Sequence, residues 1–411
     1  IISAGITLLN IAFFLAVWLW VRHCRLSTVI TIALLFATAV SALYTSIFAT
    51  NATTYPDINV LSNLAASLID GRLDVFLNAS NVTEVISGNA STYLIRVPYQ
   101  AGSLLLFAGV YKLFGAMNLV ALQALNVVAN VLSIAMLIGV SAEMTREVES
   151  ELRRRVVGMT AIISCTFFPF LFSASFAYTN SIGLCFVMAA FWVSSHAWSN
   201  PDKTRAYTLS MLCSVLLFCI GIMVKTTFML LSFALCAAWA LDCLKTRRSW
   251  LLACIPTALL LCLKASSVPV LVLQWLTGRE FGEGQPFLMN IAMGLSWSDQ
   301  SGRPGWWGST SFECYNQNNG DMAAQSAWCR EIISQRIRTW IDDPRDALRF
   351  FSIKLTTEWL EPSYMTLWFS ECAAQPQTPI MELAIHGSAS NRLLVMVLDG
   401  MQTGLYFLSS I

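Results

Sequence analysis

Runs of about 20 apolar residues recur from one end of the chain to the other. A helix of that length crosses the hydrocarbon core of a bilayer, which is about 30 Å thick. Hydrophobic residues make up 56% of the 411 residues and charged residues only 12%. That is about half the charge of an ordinary globular domain, too little to cover a water-soluble surface. The sequence therefore predicts an all-α polytopic membrane protein.

Nine of these runs are predicted to span the membrane. They cover residues 2–21, 28–48, 118–141, 156–176, 180–198, 206–224, 226–243, 250–273 and 392–411. Because both ends of the chain fall inside apolar runs, we expect further residues before Ile1 and after Ile411.

Arginine and lysine cluster in four short connections between the runs. These basic residues are Arg22 and Arg25, Arg146 and Arg153 to Arg155, Lys203 and Arg205, and Lys245, Arg247 and Arg248. The positive-inside rule places all four connections in the cytoplasm. Residues 49–117 must then form one excursion outside the cytoplasm, and residues 98–115 a helix at the outer interface. A plain transmembrane helix over 98–115 is the alternative, and it would reverse the side of Arg153 to Arg155.

The predicted topology divides the chain into five segments. They are N-terminal transmembrane helices (1–48), a first extracytoplasmic loop with juxtamembrane helices (49–117), a transmembrane core (118–273), an extracytoplasmic cap rich in tryptophan (274–391) and the start of a C-terminal transmembrane region (392–411). Cys314 and Cys329 both fall in the predicted cap, and the sequence leaves open whether they form a disulfide.

Three stretches of sequence carry a family resemblance. The first is Tyr55-Pro56-Asp57-Ile58-Asn59 with Ala65, Ala66 and Gly71, the second is Arg96-Val97-Pro98-Tyr99-Gln100 running to Leu113-Phe114-Gly115, and the third is Met293-Gly294-Leu295 with Gly302, Gly305, Trp306 and Trp307. In this order and topology they resemble the GT-C class of membrane glycosyltransferases, in the branch related to protein O-mannosyltransferases and aminoarabinose transferases. Two positions depart from that pattern: Asn180 stands where many bacterial members have an acidic residue, and Tyr99 stands where they have a second proline.

The resemblance implies a GT-C-like helical bundle that transfers a sugar from a polyprenyl-phosphate donor, with inversion, to an extracytoplasmic glycan, lipid or protein. Such a reaction needs a base for the acceptor hydroxyl, and Asp57 is the predicted base. A capping or solvated aspartate is the competing interpretation of Asp57. Asp70 and Asp74 are weaker candidates, which we expect to be surface charges.

The departing phosphate needs cations, and the predicted ones are Lys225, Arg96 and Arg303. A snorkelling side chain, a headgroup contact or a loop salt bridge is the alternative for each. The predicted substrate-binding residues are Tyr55, Asn59, Tyr99, Gln100, Tyr178, Asn180, Trp306 and Trp307. Trp306 and Trp307 could stack on a sugar or close the site, although tryptophan is also typical of a membrane interface.

Several functional classes lack their signals in this sequence. A net charge of +1 and the lack of a cluster of lysine and arginine interleaved with aromatic residues argue against a nucleic-acid partner. No glycine-rich nucleotide loop and no metal-ligand spacing occurs, although a divalent cation is not excluded. Two other functions stay open, a transporter or flippase, which Lys264 inside an apolar run favours, and a non-catalytic envelope assembly subunit.

Overall fold

A computed structural model describes residues 2–21, 23–48, 56–78, 92–199, 204–246, 250–371, 379–385 and 389–409. Helices are the regular elements in these ranges, beside one isolated antiparallel bridge between Trp297 and Pro304. Short 3-10 turns cover Leu73–Val75, Pro98–Gln100, Ser173–Ser175 and Thr226–Phe228.

The α-helices are numbered in chain order. In the first half they are α1 (Ile2–Val21), α2 (Leu26–Phe48), α3 (Pro56–Ile69), α4 (Thr92–Arg96), α5 (Ala101–Phe114), α6 (Leu119–Met144), α7 (Ser150–Thr166), α8 (Phe168–Phe172), α9 (Asn180–Trp198) and α10 (Thr204–Val224). In the second half they are α11 (Met229–Thr246), α12 (Trp250–Ala265), α13 (Ser267–Thr277), α14 (Phe287–Gly294), α15 (Thr310–Gln317), α16 (Met322–Asp342), α17 (Pro344–Trp359), α18 (Thr366–Glu371), α19 (Pro379–Ile385) and α20 (Ala389–Ser409).

Six helical stretches are long and apolar enough to cross a membrane. They are Leu26–Phe48, Leu119–Met144, Asn180–Trp198, Arg205–Val224, Thr226–Lys245 and Cys254–Thr277. A bent pair, Ser150–Thr166 with Phe168–Ser175, makes a seventh if it counts as one span. The structure therefore confirms an all-α protein of the multi-pass membrane type.

One predicted span is not a continuous helix. The run 156–176 is split, because α7 ends at Thr166 and the following helical segment departs from its axis by 54°. Pro169 explains the break, since proline donates no amide hydrogen bond and its ring collides with the carbonyl four residues earlier. The predicted span over 156–176 is therefore present as two helical segments, which form either one broken span or a re-entrant loop.

Two further predicted spans form helices, α1 with 20 residues and α20 with 21 residues, and these two helices pack against each other. The expected helix over 98–115 is present as a 3-10 turn that continues into α5. Its place at the outer interface stays a prediction.

The chain forms two compact units. Unit 1 contains Ile1–Ala65, Gly102–Pro269 and Pro362–Ile411, and unit 2 contains Ala66–Ala101 and Val270–Glu361. In unit 1, α9 and α10 cross closely at Gly183 and Gly221. A Cβ on Gly221 would lie 2.9 Å from the backbone carbonyl oxygen of Gly183, so the crossing depends on the lack of a side chain there.

Amide side chains of α6 support the irregular segment that follows α7. Gln123 donates to the Ser175 carbonyl at 2.7 Å, and Asn130 donates to the Phe170 carbonyl at 2.7 Å. Asn126 donates to the carbonyls of both Phe176 and Tyr178 at 3.0 Å. These three residues follow a helical spacing of three and four, so they face one side of α6. They donate hydrogen bonds to backbone carbonyls of the interrupted segment, which a continuous helix would have satisfied internally.

Unit 2 has a small core between α14, α15 and α16. Its buried members are Met289, Ala292, Cys314 and Cys329. Both cysteines are free thiols, and burial together with the neighbouring Cys329 raises the pKa of Cys314 to about 12. The structure therefore places the two sulfurs side by side in reduced form, without the disulfide that the sequence left open.

The α6 amides generate a stability prediction. Replacing Asn126 with leucine removes two buried hydrogen bonds, to the carbonyls of Phe176 and Tyr178, at a cost of about 2 kcal/mol or more. We expect a lower midpoint of thermal unfolding, measured by size-exclusion chromatography after heating in detergent. The matched control is Val128→Ala, because Val128 lies on the exposed side of the same helix. Equal midpoints for the two variants would contradict the supporting role of Asn126.

Candidate functional site

Lys225 occupies a break between two predicted membrane spans. Helix α10 ends at Val224, Lys225 is extended, and a 3-10 turn leads into α11. The Val224 carbonyl lies 3.2 Å from the Ser103 hydroxyl and 3.3 Å from the Thr179 hydroxyl. Because the last carbonyls of a helix have no partner inside it, these hydroxyls stabilise the end of α10 where it is.

Gly102, at the start of α5, makes the closest approach to this break. A Cβ added to Gly102 would overlap the carbonyl oxygen of Met223 and lie 3.4 Å from Pro269. Only glycine allows the α5 backbone to approach so near. The end of α10 is therefore enclosed by α5 on one side and by the segment around Thr179 on another.

Two groups that attract a cation act on the Lys225 ammonium. Its Nζ lies 4.1 Å from the centre of the buried Tyr178 ring, a cation–π distance. The carboxylate of Asp57 attracts it electrostatically. Burial lowers the pKa of Lys225 to about 8, and the attraction to Asp57 opposes that shift. Lys225 therefore carries its positive charge at pH 7 and loses it above about pH 8.

Asp57 stands in the first turn of α3. A carboxylate there is stabilised by the unpaired amides and the positive end of the helix dipole. Asn59 lies two residues further on, where its carbonyl oxygen accepts from the Asn63 amide at 3.0 Å. Asn59 is thus engaged along α3 itself. Tyr55, the first residue of the predicted motif, lies outside the described residues.

Asn180 begins α9 and contacts a residue that sequence analysis did not single out. Its amide donates to the Tyr364 hydroxyl at 2.7 Å, and among the described residues its own buried side-chain oxygen has no hydrogen-bond partner. Tyr364 and Met365 both have positive φ, 54° and 59°. Such strain in non-glycine residues is enriched at functional sites. In the sequence, the Pro362-Ser363 pair before Tyr364 is typical of a turn, and it is the signal that could have indicated this residue.

In unit 2, Arg96 belongs to an aromatic cluster. Its guanidinium lies 3.5 Å from the centre of the Phe312 ring, and its charge acts on the Tyr315 hydroxyl. Trp307 packs edge-on against the same Phe312 ring at 5.8 Å. Arg96 is therefore held in place by stacking on Phe312, a contact that its planar group makes and a lysine ammonium would not reproduce.

The glycine-rich loop after α14 folds back on itself. The Ser298 amide donates to the Arg303 carbonyl at 2.9 Å, and the Ser298 hydroxyl donates to the Trp307 carbonyl at 2.7 Å. Arg303 lies over the Trp306 ring at 4.7 Å. Gly305 has a φ of 72°, which suits the tight turn. The loop thus presents Trp307 with 53% of its surface exposed.

The predicted site residues fall into two sets. In unit 1, Asp57 and Tyr178 both act on the ammonium of Lys225. Unit 2 contains the arginines with their aromatic partners, and in its 3-10 turn Gln100 is buried while Tyr99 is exposed. Among the described residues, no group of three His, Cys, Asp or Glu side chains is placed to hold a metal ion.

No protein-family model matches the chain, and no significant similarity links it to a curated protein or to a solved structure. The class of the protein therefore follows from its helices alone: it is an all-α protein whose described residues contain six or seven potential membrane spans. The resemblance to the GT-C class stays a prediction from the sequence motifs.

Proposed function

We propose that this protein is a membrane glycosyltransferase that moves a sugar from a polyprenyl phosphate to an acceptor hydroxyl on the extracytoplasmic face. The observation that carries the proposal is the electrostatic attraction between Asp57 and Lys225. A carboxylate at a helix N-terminus acts on an ammonium at the break between two potential membrane spans. That is the pair of charges that transfer from a lipid-linked phosphate requires.

Asp57 supplies the base in this proposal. Its ionised carboxylate accepts the proton of the acceptor hydroxyl while that oxygen attacks the anomeric carbon of the sugar. The bond between the anomeric carbon and the phosphate oxygen breaks on the opposite side, and the phosphate leaves with the electron pair. The configuration at the anomeric carbon is thereby inverted.

Lys225 holds the phosphate. An ammonium that is partly removed from water stabilises the negative charge that grows on the leaving phosphate more strongly than an exposed one would. The Tyr178 ring helps to fix its position. A charged side chain at such a depth is costly unless it has a functional partner.

Replacing Asp57 with asparagine removes the base while keeping the size and shape of the side chain. We expect the rate of sugar transfer from a polyprenyl-phosphate donor to fall about 10²-fold or more, while the protein elutes and unfolds as the wild type does. The assay is radiolabelled transfer into membrane extracts. Asp70→Asn is the matched control, because Asp70 is an exposed carboxylate paired with Arg72 at 3.4 Å. Wild-type turnover by Asp57→Asn would refute the role of Asp57 as the base.

The pKa of Lys225 generates a pH prediction for binding of farnesyl phosphate. Lys225 is cationic below pH 8 and neutral above it, so we expect affinity to fall by nearly a factor of ten per pH unit above about pH 8. The probe itself does not titrate there, because a phosphate monoester is fully ionised above about pH 7.

The control for this experiment is Lys225→Arg, since a guanidinium stays charged at every pH used. Its affinity should be flat where that of the wild type declines. Isothermal titration in nanodiscs measures both. Lys225→Met binding as tightly as the wild type at pH 7 would rule out the phosphate role.

A transporter is the second candidate, and the bent pair of α7 and α8 favours it. Interrupted helices of this kind often surround a substrate path. Against it, Lys264 on α12 is exposed, so it does not line the interior of the bundle. Uptake of a labelled prenyl-phosphate sugar into sealed vesicles, without any covalent sugar product, would decide for transport. If the protein shows neither uptake nor sugar transfer, that result would favour an assembly subunit.

A further inference from the structure

Unit 2 contains a cavity of about 350 Å³ between α15, α16 and the loop after α14. Its volume falls at the lower end of the range for small-ligand sites, about 300–1,000 Å³. Two indole rings, Trp297 and Trp328, line it together with the side chains of Glu313, Gln335 and Arg336. None of these five residues was among the predicted site residues.

Helix α16 supplies one wall of the cavity. Trp328, Gln335 and Arg336 are separated by seven and eight residues, so they project from the same face of the helix. The helix begins at Asp321, whose carboxylate accepts from the Ala324 amide at 2.7 Å and caps the first turn. The spacing and the cap together fix the direction of these three side chains.

The two indole rings are held by the core of unit 2. Trp297 packs edge-on against Phe350 at 5.5 Å, and Phe350 is fully buried. Trp328 packs against the buried cluster that includes Cys329. Rigid aromatic walls of this kind bind a ligand at a low cost in side-chain entropy.

The polar side chains of the cavity are only partly engaged. Glu313 accepts from the Ser309 hydroxyl at 2.6 Å, and Gln335 donates to Glu331 at 2.9 Å. Arg336 is half-buried, and within the described part of the chain its guanidinium makes no hydrogen bond or ion pair. Its guanidinium donors are therefore available to a ligand in the cavity.

We propose that this cavity binds a pyranose saccharide. The C–H faces of a sugar ring fit against the indole rings, and its hydroxyl groups accept from Arg336 and Gln335 and donate to Glu313. A planar guanidinium and a carboxylate can each bind a pair of neighbouring hydroxyls on such a ring. The inference is independent of the proposed transfer reaction, because it concerns binding alone.

Saturation-transfer difference NMR on the full chain tests this directly. The protein is placed in nanodiscs of zwitterionic phospholipid, since detergents with sugar headgroups would compete for the cavity. The probes are the methyl glycosides of glucose, galactose, mannose and glucuronic acid at millimolar concentration. We expect transfer to at least one of them, and in Arg336→Ala an affinity about tenfold lower or more.

Arg338→Ala is the matched control, because Arg338 lies two residues further along α16 and is exposed. It should bind as the wild type does, and Glu313→Gln should weaken binding without the loss of a large side chain. No transfer to any probe would overturn the proposal, and so would equal affinities of Arg336→Ala and Arg338→Ala.

Discussion

The backbone between α7 and α9 is broken into one short helix and a 3-10 turn inside a bundle of apolar helices, and its carbonyls need hydrogen-bond donors that lipid cannot supply. Gln123, Asn126 and Asn130 supply them from one face of α6. A buried amide without a partner would cost more than a lost contact, so the segment and the helix specify each other's position. Most of the geometry of unit 1 around the candidate site depends on this interaction.

The supported segment ends where the chemistry begins. Tyr178, whose carbonyl accepts from Asn126, carries the ring that lies 4.1 Å from the Lys225 ammonium. The next residue, Thr179, contacts the last carbonyl of α10 and so helps to fix the break at which Lys225 stands. The hydrogen bonds that satisfy the backbone carbonyls of this segment thus also help to position the Lys225 ammonium. The strained backbone of Tyr364, which contacts Asn180, borders the same segment.

Hydropathy alone predicted much of the helical fold. The run 180–198 coincides with α9, because its apolar pattern begins and ends at polar residues. The break at Phe167 was missed because an average over a long run hides one proline near its end. The interactions of Lys225 with Asp57 and Tyr178 join residues far apart in the chain, which no local pattern reveals. The sequence predicted a role for each of the three residues, but only the fold relates them to one another.

The most direct test of the account is photocrosslinking with a farnesyl phosphate that carries a diazirine beside its phosphate. The account predicts that mass spectrometry finds the label on peptides from the start of α3 or from the junction of α10 and α11, and that excess unlabelled farnesyl phosphate removes it. Labelling that is confined to other helices, or that is not displaced by the unlabelled compound, would contradict a phosphate site at Asp57 and Lys225.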